Sequence, residues 1–351
     1  MNPSLQRESE NLVRSWAQHQ GDWLRDYLVA GVEDPRINLQ SIFSRHFIIR
    51  ALTGDRFISL MDQEYRFAAV MNWLIGTNLR DLEQLQEIDH ALRRSLDNAE
   101  GLPIPGYVLE TFSALPAATG TLSIPNYIQQ LIAQAPSHDN INMAEWPVLN
   151  TFQHLWREAL SVGCLNSGQS AETSASGLIV PSVIEPACGS ANDYRFLNSF
   201  GIAPLINYTG FDLCPTNIEN ARALFPPVQF EVGNVFEIQA ADKAYDLLFV
   251  HDLLEHLSLE GITAATAELC RVTRWGMCLG FFNMDEMPAH VVQPLEEYHW
   301  NRLSMALIKD LFLAHGFAGQ VIHVGTFLRR QLGCEHTHNP NAYTFLLHAR
   351  R

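Results

Sequence analysis

The chain has 351 residues, enough for two domains or for one domain with a large extension. Hydrophobic residues make up 47%, which supplies a full core, and 23 Lys and Arg against 38 Asp and Glu give a formal net charge of −15. That balance lacks the basic surface a nucleic-acid partner requires and fits a small-molecule partner instead.

The N-terminus, MNPSLQRESENLVRSW, is polar and has no apolar signal segment. No apolar run approaches the ~18 residues needed to span a membrane. The six cysteines form no CxxC pair, so a reducing, cytoplasmic setting is expected.

Residues 1–165 read as a helical N-terminal domain or lid. In Ser41–Leu52, Ile42, Phe43, Phe47, Ile48 and Leu52 recur near helical spacing, and Phe57–Leu74 and Asp81–Leu96 continue the pattern. Gly101–Pro105 (GLPIP) breaks it, because two prolines fall within three residues. Trp146–Val162 resumes as an amphipathic helix with Pro147 near its first turn. A flexible linker is expected over 166–178, where NSGQSAETSASG has nothing to bury.

From 179 to 351 short apolar runs alternate with helical stretches. Ser182–Ile184, Leu205–Phe211, Val228–Val232, Asp246–Val250 and Met277–Phe281 are the predicted strands, and the alternation implies a parallel sheet covered by helices. The last two candidates, Gly319–Leu328 and Tyr343–His348, show no helix between them and are expected to pair as an antiparallel hairpin.

Four segments carry candidate chemistry. The first strand ends in Glu185-Pro-Ala187-Cys-Gly189-Ser-Ala191-Asn192, a small-residue turn that lets a ligand approach the backbone. Asp212 follows Gly189 by 23 residues at the tip of the second strand, where a carboxylate can accept hydrogen bonds from ribose hydroxyls. Gly233-Asn234-Val235 follows the third strand. Tyr245–Leu257 runs a buried strand into an acidic, histidine-bearing turn with His251 and Asp252 at its carboxyl end.

In this order the four segments resemble the class I S-adenosylmethionine (SAM) dependent methyltransferases, with Ala191 where the family usually has a second glycine. The resemblance implies a Rossmann-like α/β sheet of order 3-2-1-4-5-7-6 with strand 7 antiparallel. It implies SAM as cofactor or substrate, contacted by Glu185, Ala187, Gly189, Asp212, Leu213, Asn234, Val235, His251 and Asp252. Tyr298-His299-Trp-Asn301 falls where the family often builds a substrate wall, and Tyr127 and Trp146 are further pocket candidates.

Asp252, Glu255 and His256 fall at i, i+3 and i+4 and can share one helical face. A few quinone-precursor O-methyltransferases resemble this and bind a divalent ion there; most relatives bind none, and none is expected here. Cys334-Glu-His336-Thr-His338 reads as a polar rim loop.

The run Ala187–Arg195, with Tyr208–Leu213, also resembles a bacterial branch that includes SAM-cyclising azetidine-2-carboxylate synthases. Methyl transfer to a small molecule, intramolecular cyclisation and non-catalytic SAM binding are therefore all to be weighed. The catalytic candidates are Tyr194, Asn150, His251 and His299, and a homodimer is an open possibility.

Overall fold

The computed structural model describes residues 2–19, 34–76, 150–165, 180–295, 298–334, 337 and 339–350. The expected helix at Asp81–Leu96, the break at Gly101–Pro105, the linker, Tyr127, Trp146 and part of the Cys334–His338 segment lie outside these residues.

The helices are α1 (Pro3–His19), α2 (Leu39–Thr53), α3 (Ile58–Gly76) and α4 (Thr151–Leu165), then α5 (Asn192–Ser199), α6 (Pro215–Leu224), α7 (Leu259–Val272), α8 (Met305–Ala314) and α9 (Val324–Leu332). The strands of the main sheet are β1 (Ser182–Pro186), β2 (Asn207–Asp212), β3 (Gln229–Val232), β4 (Tyr245–His251), β5 (Thr273–Phe281), β6 (Phe317–His323) and β7 (Tyr343–Ala349).

The seven strands lie in the order β3-β2-β1-β4-β5-β7-β6. Strands β1 to β5 are parallel, and β7 runs antiparallel to both β5 and β6. This is the expected strand order. One expectation fails: β6 and β7 do pair, but α9 lies between them, so the connection is not a simple hairpin. Val324 and Leu328 of α9 are buried, and their four-residue spacing is the helical signal that the apolar reading of Gly319–Leu328 as one strand overlooked.

Both faces of the sheet are apolar, so neighbouring strand residues enter opposite cores. Val183, Leu247, Phe249 and Cys278 point to one side, where α2 to α6 and α9 pack. Ile184, Leu248, Val250 and Leu279 point to the other, where α1, α7 and α8 pack. The N-terminal helices thus complete the sheet's own cores. Gln40 at the start of α2 donates its amide to the carbonyls of Phe281 (3.1 Å) and Tyr343 (3.0 Å), pinning that end of the helix to the carboxyl end of β5.

Helix starts follow capping chemistry. Asn38 accepts from the amides of Gln40 and Ser41, Ser258 accepts from Gly261, and Ser304 accepts from Leu307. A buried charge cluster joins the N-terminal helices: Glu64 on α3 binds Arg45 (2.9 Å) and His46 (2.6 Å) on α2 and Trp156 (2.5 Å) on α4. Arg45 also lies 4.0 Å over the ring of Phe200 at the end of α5. Among the described residues no helix is long and apolar enough to cross a membrane.

Candidate active site

The carboxyl ends of β1, β2, β3 and β4 converge, as they must in an open parallel sheet where the strand order reverses beside β1. After β1 the chain makes a tight turn in which Ala187, Gly189 and Ala191 all adopt positive φ, at 55°, 54° and 67°. Gly189 has open space where a side chain would stand, which leaves its backbone approachable. Ala191, in the second-glycine position, takes the left-handed conformation and is fully buried at the start of α5.

Asp212 binds this loop directly. One carboxylate oxygen accepts from the Gly189 amide at 3.0 Å, and the other accepts from the Cys214 amide (2.8 Å) and the Asn217 side chain (3.1 Å). Asp212 is half-buried, so its carboxylate is fixed in direction yet open to the site. Burial raises its pKa, and the three donors oppose that.

Leu213 is half-buried beside it, and Ala187 is exposed on the loop. Asn234 accepts from the Phe236 amide (2.9 Å) and donates to Ser9 of α1 (2.8 Å), so α1 lies across the β3 end of the site. Val235 is buried in the adjoining core.

Glu185 does not face a ligand. It is 3% exposed and accepts the hydroxyl of Tyr208 behind the loop, and burial next to Asp193 drives its pKa well up. Its role is to support the turn, which corrects its expected place among the cofactor contacts.

Tyr194 is corrected likewise. Its ring is 8% exposed and packs on Tyr208 (4.6 Å), Phe225 (5.0 Å) and Phe230 (5.8 Å) in the core. A helix turns about 100° per residue, and the neighbour that turns toward the site is Asp193.

Asp193 meets His251 at the tip of β4, with 3.0 Å between Oδ2 and Nδ1. The other ring nitrogen is 2.6 Å from Ser44 Oγ on α2, and that hydroxyl is 3.1 Å from the Gln40 carbonyl. The Ser44 hydroxyl also lies 3.5 Å from Cys278 Sγ, and its single proton can serve the Gln40 carbonyl or the His251 ring.

Burial lowers the pKa of His251, but the Asp193 carboxylate outweighs it, and the net direction is upward. Gly280 makes room, since a Cβ there would sit 2.5 Å from the ring. Both ring nitrogens of His251 thus meet side chains, Asp193 on one side and Ser44 on the other. Asp252 follows with φ 53° and donates its amide to the Gly280 carbonyl (3.0 Å).

The remaining candidate residues lie past β4 and β5. Leu254–His256 is a single 3₁₀ turn rather than part of an α-helix, so the i, i+3, i+4 face expected for Asp252, Glu255 and His256 does not form. Glu255 is fully buried and accepts from the Phe282 (2.7 Å) and Asn283 (3.3 Å) amides. Burial and Asp252 push its pKa up to about 8.

His256 turns the other way, into Phe282 (5.3 Å), Tyr298 (5.9 Å) and Trp300 (5.4 Å). Among the described residues no group of three or more His, Cys, Asp or Glu is placed to hold a metal ion. His299 contributes its backbone carbonyl to His256 (3.1 Å), while its own Nδ1 is buried without a partner among the described residues.

Asn150 accepts from Arg36 Nη1 at 2.8 Å, and Arg36 is also paired with Asp34. The structure therefore assigns Asn150 to the loop before α2 and shows no contact between it and His251 or Asp212. The groups that sequence reasoning missed are Asp193, Ser44 and Ser9. Asp193 was within reach, one residue from the chosen tyrosine; Ser44 and Ser9 come from distant segments and carry no local signal.

Residues 183–276 match the family described as methyltransferase domain. Solved structures similar in fold include SAM-dependent methyltransferases from Methanosarcina mazei (14% identity, 48% of this chain and 92% of that one, TM-score 0.38) and Mesorhizobium loti (12%, 55% and 99%, 0.38). A third is the 1,6-didemethyltoxoflavin N1-methyltransferase of Burkholderia thailandensis, solved with that compound and S-adenosylhomocysteine (14%, 68% and 95%, 0.37). Among curated proteins no sequence relative matches.

The strand order and the matched segment define a methyltransferase-type α/β domain, and SAM is its cofactor or substrate. The loop fits that molecule: an open backbone at Gly189 stands next to a fixed, outward carboxylate at Asp212.

Proposed function

We propose that this protein is a SAM-dependent methyltransferase acting on a small molecule. The observation that carries the reading is the bond between Asp212 and the Gly189 amide, which makes the nucleoside acceptor and the glycine turn one rigid pocket at the switch point of the sheet.

SAM supplies a methyl group already activated on a sulfonium. The chain's part is then to hold the nucleoside through Asp212, Leu213, Asn234 and Val235, to exclude water, and to orient an acceptor from the β4 and β5 side. The −15 charge favours a small acceptor over nucleic acid.

Cyclisation of SAM is the competing reading. It needs side chains that bend the methionine moiety of SAM; of the catalytic candidates, Tyr194 packs in the core and Asn150 is held by Arg36, which favours an intermolecular acceptor. Incubation of the protein with SAM alone separates the two. Methyl transfer leaves SAM intact until an acceptor is added and then yields S-adenosylhomocysteine. Release of methylthioadenosine without acceptor would overturn it.

A further inference from the structure

We infer that Asn217 is a positioning residue for the cofactor: it closes a ring of hydrogen bonds that turns Asp212 so that one carboxylate oxygen, Oδ2, is left to accept from the ribose. The inference rests on the reading of Asp212 as the nucleoside acceptor.

The buried residues of α6 are Asn217, Ile218 and Ala221. Asn217 is 5% exposed, and a buried amide destabilises a fold unless its polar atoms are met. Its side-chain partners lie outside α6, in the candidate site. Nδ2 donates to Asp212 Oδ1 at 3.1 Å, and Oδ1 accepts from the Ser190 hydroxyl at 3.3 Å. A carboxylate only accepts, so the amide nitrogen must face Asp212 and the amide oxygen Ser190.

Ser190 adjoins Gly189 in the turn after β1, and the Gly189 amide donates to Asp212 Oδ2 at 3.0 Å. Asp212, Gly189, Ser190 and Asn217 thus form a closed ring that ties α6 to the turn. Asn220, three residues further along α6, donates to Ser190 Oγ at 3.3 Å and steadies the hydroxyl.

The ring divides the carboxylate unequally. Oδ1 takes two donors, the Cys214 amide and Asn217, while Oδ2 takes only the Gly189 amide among the described residues. A carboxylate has about four acceptor sites, two on each oxygen, so the remaining one is on Oδ2. Without Asn217 the carboxylate would have a second free site on Oδ1 and would lose the contact that stops it turning.

The test is titration calorimetry on the full chain with S-adenosylhomocysteine and with its analogue lacking both ribose hydroxyls. The ratio of the two affinities measures what those hydroxyls contribute. A hydrogen bond to a charged group gives a wild-type ratio of about 10-fold or more. In Asn217→Ala we expect the ratio to fall by about 3- to 10-fold, with binding of the analogue within about twofold of wild type. An unchanged ratio overturns the inference, and so does an equal loss of both ligands, which a merely structural role would give.

Asn217→Asp tests the same point independently, and suffices if Asn217→Ala does not fold. Its carboxyl replaces the amide as a donor only while protonated, and once ionised it repels Asp212. Binding of S-adenosylhomocysteine should be near wild type at about pH 5.5 and fall more steeply than in wild type as pH rises. A wild-type pH profile in this variant overturns the inference. Wild-type protein that binds both ligands alike overturns instead the reading of Asp212 as the nucleoside acceptor.

Discussion

The Asp212 carboxylate holds the glycine turn and, in the proposed function, also takes the ribose. It fixes the glycine turn through the Gly189 amide and leaves acceptor capacity toward a ribose. Asp212→Ala should weaken S-adenosylhomocysteine binding by about 1.5–3 kcal/mol, the range for a hydrogen bond to a charged group. Titration calorimetry reads this directly, and unchanged affinity would show that the ribose lies elsewhere.

Asp193 and His251 form the charged pair at the β4 tip, and their stabilisation has a pH window. The pKa of Asp193 is lowered from 3.8, so its contribution is present above that value and fades as pH falls through the folded one. The pKa of His251 is raised from 6.5, so its contribution is complete below that value and fades as pH rises through the folded one. Asp193→Asn should therefore cost most stability between about pH 4 and 6.5, on the order of 1–3 kcal/mol for a partly exposed pair, and less at alkaline pH. Denaturant melts across this range check it; a penalty independent of pH would contradict this linkage.

At the scale of elements, α2 and α1 are held in unlike ways. Glu64 joins α2, α3 and α4 from full burial, and Arg45 with its partners holds its carboxyl down at about 2. Glu64→Gln leaves Arg45 without its buried counter-charge and should cost about 3–5 kcal/mol, read as a fall in melting temperature.

α1 is held at its rim by Glu8, which accepts from the Ser258 amide and hydroxyl at the start of α7, both at 2.6 Å. Glu8→Ala should cost about 1–2 kcal/mol, as loss of a capping interaction does. Amide exchange should then quicken in the first turn of α7 and around Asn234, which α1 covers through Ser9. Unchanged exchange at Asn234 would mean that α1 does not depend on this anchor.

For the whole molecule, the sheet is sandwiched, and its α2 face is as apolar as its α7 face. Residues 180–351 alone would leave Val183, Leu247, Phe249 and Cys278 without the α2 cover. That piece should show no cooperative thermal transition, by near-ultraviolet circular dichroism, whereas the full chain should. A sharp transition in the piece would show that the N-terminal helices are dispensable to the core.

Strand–helix alternation, strand order and the glycine turn with Asp212 were legible in the sequence, because period-2 and period-3.6 patterns and turn residues are local properties of the chain. The helix between β6 and β7 was missed where a short apolar run suits either element. The direction of a side chain is not local in this sense. Whether Asp193 or Tyr194 meets His251 depends on the phase of α5 against the sheet. The partners of His251 and His256 likewise come from elsewhere, a hydroxyl from α2 and the His299 carbonyl. The sequence by itself determined the sheet and the glycine turn beside Asp212; only the tertiary structure decided which groups each histidine meets, because folding brings those partners from far along the chain.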